Sequence, residues 1–199
     1  MNFTSYFKTF GLPIFFMAIS VGWAGAQDSK TNTIGVSVLA EHEFIKGFSP
    51  SVGFVFERSL TKRSGIETGI FYKTYRSDFN AFVPIPEGGG YYEYIKVRES
   101  YLNFPVLYRF YTKSVTISLG PVVEAFVGWD QISSGNSEVT SYEIDPSVDF
   151  GPLLKVSKTF TLGDNLIAEP EFRFGIMAKA AISYFGFGVQ LKQGLLQQK

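Results

Sequence analysis

"SVTISLGPVVEAFVGWD" occupies Ser114 to Asp130. Every second residue from Val115 gives Val115, Ile117, Leu119, Pro121, Val123, Ala125, Val127 and Trp129. The intervening set is Thr116, Ser118, Gly120, Val122, Glu124, Phe126, Gly128 and Asp130. Successive side chains of a strand point to opposite faces, so a period of two predicts a β-strand with one apolar face and one small, polar or charged face. The solvent that each face meets decides the fold.

The same alternation recurs along the chain, and β-branched and aromatic residues are abundant. Eight strands are predicted: Thr33–Glu41, Phe48–Leu60, Ser64–Arg76, Tyr91–Tyr111, the opening stretch, Ile144–Ser157, Asn165–Ile176 and Ala180–Lys192. In the second, Val52, Phe54 and Phe56 oppose Ser51, Gly53 and Glu57; in the eighth, Phe185, Phe187, Val189 and Leu191 oppose Gly186, Gly188 and Gln190. Pro50, Pro105, Pro121, Pro146, Pro152 and Pro170 fall inside or near these strands and mark bulges or strand ends, because proline has no N–H for the ladder.

In a soluble up-and-down barrel the apolar faces line the interior, and the exterior is dense in charge. Here the polar faces are rich in Gly and Ser and sparse in charge, while the apolar faces are uniformly large. Small residues suit the crowded interior of a narrow barrel, and large apolar ones suit lipid. The apolar face is therefore assigned to a bilayer and the polar face to the lumen of a closed eight-stranded antiparallel up-and-down transmembrane β-barrel. Most strands reach the ~9–11 residues that a tilted spanning strand needs. The lumen charges Glu67, Lys73, Arg109, Glu124, Lys155, Glu169, Glu171 and Arg173 are of mixed sign and are expected to pair as a structural network. Tyr72, Tyr92 and Trp129 toward one end, with Tyr108 toward the other, are expected to form interfacial girdles.

Bulk composition narrows the function. The 199 residues carry zero formal net charge, which leaves no basic footprint for nucleic acid. Cys is absent and His42 is the one histidine, which disfavours disulfide frameworks, thiolate metal sites and His-based metal clusters or triads. Lys8, an apolar run over Phe10–Val21 and "AGA" at Ala24–Ala26 read as a secretory signal peptide over residues 1–26. The barrel domain is then 27–192, with a frayed tail over 193–199. No second apolar run approaches the ~20 residues of a spanning helix.

Connections alternate between short turns, Thr61–Arg63 and Thr112–Ser114, and longer loops, Ser77–Gly90 and Gln131–Tyr142. Outer-membrane barrels follow this plan, with turns in the periplasm and loops outside. Lys158–Asp164 is long for a turn, and Met177–Lys179 is short for a loop.

"YLNFPVLYRFY", Tyr101–Tyr111, resembles the small outer-membrane β-barrel proteins of Bacteroidetes often called PorT-like, through Tyr101, Leu102, Pro105 and Leu107. Gly120–Pro121 in the next strand and "EPEFRFG", Glu169–Gly175, add to the resemblance, which covers nearly all of the chain after residue 26. It implies an eight-stranded barrel, relatives linked to secretion or gliding, and mostly no assigned activity. Many such barrels end on an aromatic residue read by the assembly machinery; this sequence ends on Lys199, so Phe185 and Phe187 would have to serve.

No strong catalytic motif stands out. "EHE", Glu41–Glu43, is the candidate for barrel-enzyme chemistry, though an exposed rim histidine is the plainer reading. "EGGGYYEY", Glu87–Tyr94, lacks the Lys-Ser/Thr of a phosphate loop. "GDN", Gly163–Asn165, is a turn. The expectation is a non-enzymatic outer-membrane scaffold of a Gram-negative bacterium, without cofactor or metal. Its partners are outer-membrane lipid and lipopolysaccharide, the barrel assembly machinery, and a surface protein or glycan met through loops 77–90 and 131–142. The alternative is a soluble periplasmic lipocalin-like carrier, which would turn the apolar faces inward around an apolar ligand.

Overall fold

A computed structural model describes residues 32–44, 46–84, 88–132, 142, 144–163 and 165–195. The signal peptide, most of loop 131–142 and the last four residues of the tail lie outside the described residues. The strands are β1 (Asn32–Glu43), β2 (Gly47–Thr61), β3 (Ser64–Pro84), β4 (Gly90–Tyr111), β5 (Thr116–Gln131), β6 (Val148–Ser157), β7 (Phe160–Thr161), β8 (Leu166–Met177) and β9 (Ile182–Leu195). β1 to β6 pair antiparallel in sequence order, β8 pairs antiparallel with β7 and β9, β1 pairs with β9, and β6 pairs with β8, which closes the ring. The two-residue β7 keeps the register of β6 against β8, since Ser157 faces Glu171 and Phe160 faces Ala168. Lys158 N–H donates to Pro170 O across the gap, so β7 is the end of the sixth wall and the ring has eight walls.

The turn rim holds the tight connections. Thr61 Oγ1 accepts from Arg63 N–H, and Thr112 Oγ1 accepts from Val115 N–H, each threonine closing its own turn. At the opposite, loop rim, Gly47 turns the chain into β2 with φ +80°, the left-handed region that glycine enters without penalty.

Two predicted boundaries change. Residues Ser77–Pro84, expected in a loop, continue β3, and β6 begins at Val148 rather than Ile144. The β3–β4 hairpin therefore outgrows the ring. Ser51 of β2 pairs with Lys73, which puts Asp78–Pro84 beyond the start of β2, an extension of about 20 Å at strand rise. Polar residues such as Asp78 and Asn80 argue against a bilayer-spanning strand, but a strand past the apolar band has no such restriction. The expected tail also shortens: Gln193–Leu195 belong to β9 and pair with β1.

The walls are apolar outside and polar inside. Val38, Val52, Phe54, Ile70, Val106, Ile117, Val123, Phe150, Val189 and Leu191 are exposed on the outer surface. Above this band the outward face of the hairpin turns polar at Arg76, Asp78, Asn80, Lys96 and Arg98, as does that of β5 at Asp130. Pro50, Pro121, Pro152 and Pro170 face outward, whereas Pro105 is buried on the inward side with Asn103 and Arg109. Where they cost a donor, the ladder breaks: β4–β5 pairing skips from Pro105–Val122 to Tyr108–Leu119, and β6–β8 pairing stops at Leu153. At each of these two breaks a neighbouring carbonyl, of Val106 and of Ile176, leans on the glycine before the proline, Gly120 and Gly151, into the space a Cβ would fill. The Gly-Pro pairs are thus a packing device: proline opens the ladder and glycine receives the displaced strand.

Candidate functional site

Inward-facing positions of six strands bring the charges together. Arg109 of β4 contacts Glu67 of β3, lies 3.0 Å from Glu57 of β2 and donates to Glu169 of β8 at 2.7 Å. Lys155 of β6 reaches Glu67 at 2.5 Å and Glu171 at 3.2 Å. Lys192 of β9 reaches Glu57 and Glu169 at 2.7 Å and Glu67 at 3.1 Å. Arg173 lies 2.8 Å from Glu171, with its guanidinium 4.4 Å above the Phe71 ring. Four carboxylates thus meet four cations, a balanced cluster whose members are at most 8% exposed.

Toward the loop rim a second cluster is unbalanced. Lys73 sits 3.1 Å from Glu41, 3.5 Å from Glu43 and 3.0 Å from Glu124. Three buried carboxylates share one ammonium, which also lies over the rings of Tyr75 and Tyr184. All eight sequence-predicted lumen residues therefore face the interior, but they divide between two clusters: Lys73 and Glu124 above, the other six below.

Above the second cluster opens a vestibule of about 590 Å³, lined by Glu43, Lys46, Glu99, Tyr101 and Tyr142 among others. Lys46, from the β1–β2 connection, donates to Glu99 at 2.6 Å and to Tyr101 Oη at 3.0 Å. Its ammonium is 5.1 Å from the ring centres of both Tyr75 and Tyr101. Tyr142 donates to the other oxygen of Glu99 at 2.6 Å, and burial together with that bond raises the pKa of its hydroxyl. A smaller cavity of about 330 Å³ opens at the turn rim beside Glu57, Arg109 and Lys192. Among the described residues no cluster has the donors to hold a metal ion.

The aromatic residues need two corrections. Tyr72 and Tyr108 face outward within or at the edges of the apolar band. Tyr92 is exposed but pairs with Phe82 at the hairpin tip, ten residues along β4 from Leu102, the partner of Tyr72, or about 30 Å. It stands beyond the end of the ring and not level with Tyr72. Trp129 is on the other side of the wall. A bulge between Ser100 and Tyr101 pairs Tyr101 with Phe126 and Glu99 with Trp129, so the parity of β5 flips. Trp129 shares the inward side of Glu99 and packs against Tyr142 at 5.5 Å.

His42 points outward, stacked on Phe185 at 5.3 Å and edge-on to Phe48 at 4.7 Å. Glu41 and Glu43 point inward, so the wall separates the three side chains of the "EHE" stretch. Glu57 joins the network from the polar face of the second strand, as its alternation implies; Glu41, Glu43 and Lys192 are further members, in phase with Ser37 and Gln190. Phase, continued to the strand ends, is the signal that finds them.

No protein-family model and no curated protein matches the chain. Solved structures do. The outer membrane protein OprG from Pseudomonas aeruginosa matches with a TM-score of 0.50 at 8% identity, over 85% of this chain and 98% of that one. The fold is that of a small outer-membrane β-barrel. Neisserial surface protein A matches at 0.46 and 10% identity, over 85% and 99% of the two chains. Ail, the attachment invasion locus protein of Yersinia pestis, matches at 0.46 and 11%, over 83% and 97%. The lipocalin-like alternative is not favoured: the barrel's interior is filled by charged pairs and its apolar faces point out.

Proposed function

We propose that the chain is a small, non-enzymatic integral barrel of the Gram-negative outer membrane that holds the β3–β4 hairpin outside the cell. The inverted polarity of the walls carries this reading, with charge inside and an apolar belt outside. A soluble domain keeps large exposed apolar patches small, whereas lipid requires them. The belt takes outer-membrane lipid and lipopolysaccharide as its solvent, and the barrel assembly machinery as its route in. The hairpin, polar on its flanks and aromatic at its tip through Phe82, Tyr91 and Tyr92, is the surface for a protein or glycan partner. The PorT-like motifs extend the proposal to an accessory role in secretion or surface assembly.

Because the chain has no Cys, single cysteines report topology cleanly. Tyr92→Cys is expected to react with a membrane-impermeant maleimide on intact cells. Lys62→Cys, on the turn rim, is expected to react only after the outer membrane is permeabilised. Labelling of Lys62→Cys alone on intact cells would reverse the orientation, and recovery of the protein in the soluble periplasm would end the membrane reading.

Val123→Lys tests the belt directly. Val123 is 39% exposed on the outward face. A lysine there is expected to cost about 2–4 kcal/mol near the bilayer midplane, read as a lower urea midpoint for the compact, unboiled band in lipid vesicles. Asn80→Lys, above the belt, is expected to leave the midpoint unchanged.

A further inference from the structure

The loop-rim vestibule is short of positive charge in a specific place. Glu41, Glu43 and Glu124 share the ammonium of Lys73, with Arg173 acting on Glu41 from the cluster below, so carboxylates still outnumber cations beneath the vestibule floor. Glu43 is 2% exposed and lines the vestibule; its Oε1 takes the Tyr75 hydroxyl and Lys73, while its Oε2 is buried with no hydrogen-bond partner. A buried carboxylate oxygen without a donor costs the full desolvation of that atom, so the site is poised to accept a cation.

The walls say which kind. Both ammonium groups already at this end are held in the same way, by carboxylate oxygens and the faces of tyrosines: Lys73 by Tyr75 and Tyr184, Lys46 by Tyr75 and Tyr101. Ring faces favour a weakly hydrated ammonium over a small hydrated metal ion, and the described residues offer no metal-ligating cluster. Lys46 reaches its place from a connection outside the ring, with its side chain 23% exposed, and occupies the Glu99 cage as a tethered amine.

We propose that the vestibule binds aliphatic amines carrying two or more ammonium groups, one seated against Glu43 Oε2 and a second competing with Lys46 for Glu99. The two substitutions that test this have opposite signs. Glu43→Gln removes the seat and is expected to weaken binding at least tenfold. Lys46→Met frees the second cage and is expected to tighten binding severalfold. A residue serving only the fold would not produce gain from one change and loss from the other.

The experiment is calorimetric titration of spermidine into the purified full-length barrel in detergent micelles at low salt. The unboiled mobility of each variant verifies closure. Saturable binding with the two opposed shifts supports the site, and if Glu43→Gln does not close, tightening by Lys46→Met still carries the test. No saturable heat with the unaltered protein, or proton uptake from buffer without spermidine binding, would overturn it. So would affinities unmoved by both substitutions.

Discussion

Glu67→Leu is expected to lower the stability of the folded barrel by about 3–5 kcal/mol, the cost of stranding a buried charge. Glu67 is 1% exposed and touches Arg109, Lys155 and Lys192 from three other strands. Its removal leaves four cations facing three carboxylates in a largely buried cluster. Glu67→Gln is expected to lose less, since an amide oxygen still accepts from Lys155. The double change Glu67→Leu with Lys155→Met removes one charge of each sign and is expected to recover most of the loss. Urea titration in lipid vesicles, scored by the unboiled band, measures all three. A double variant no more stable than Glu67→Leu would show that the cluster is not coupled as the contacts indicate.

The second large effect belongs to Gly151→Val. The ring's closing seam between β6 and β8 has five paired positions, Leu153 to Ser157, against twelve between β1 and β2. Just past its end the Ile176 carbonyl occupies the space of a Gly151 Cβ, and Ala178 N–H donates to Phe150 O at 2.8 Å to continue the seam. A side chain at 151 has to displace backbone rather than a rotatable group. The expected loss is about 3 kcal/mol, the upper end for overpacking, with a seam that opens before the rest of the ring in hydrogen exchange. Gly128→Val, where a Cβ meets nothing within 4 Å, is the matched control and is expected to change stability by less than about 0.5 kcal/mol. Equal behaviour of the two would remove the packing role assigned to the Gly-Pro pairs.

Much of this architecture is legible in the alternation of the strands. From Val115 to Ala125 the opening stretch faces as its period requires, because one buried face fixes register. The reading fails at Trp129 because a bulge adds one residue, Val127, between Phe126 and Gly128 of β5; Gly128 is the one local sign of it, and Gly53, Gly69, Gly186 and Gly188 sit in other strands without a bulge. It fails at Ser77–Pro84, where Asp78 and Asn80 end the apolar outer face, because a strand outside a bilayer is free to be polar there. The charge clusters were legible in kind but not in partition. Alternation tells which residues face inward, but the stagger of neighbouring strands decides that Glu124 meets Lys73 and Glu67 meets Lys155. That stagger is a property of the closed ring and is not written in any one strand.

The balanced cluster also has an electrical meaning. Between the cavities at the two rims stand Arg109, Lys155, Gln190 and Lys192, each 0–1% exposed. Charges locked to one another in this way are expected to make the wall-to-wall plug an insulator rather than a conductor of ions, seen as no conductance step when the barrel is inserted into a planar bilayer. On that outcome a cell could carry many copies of such a span without adding leak to its envelope.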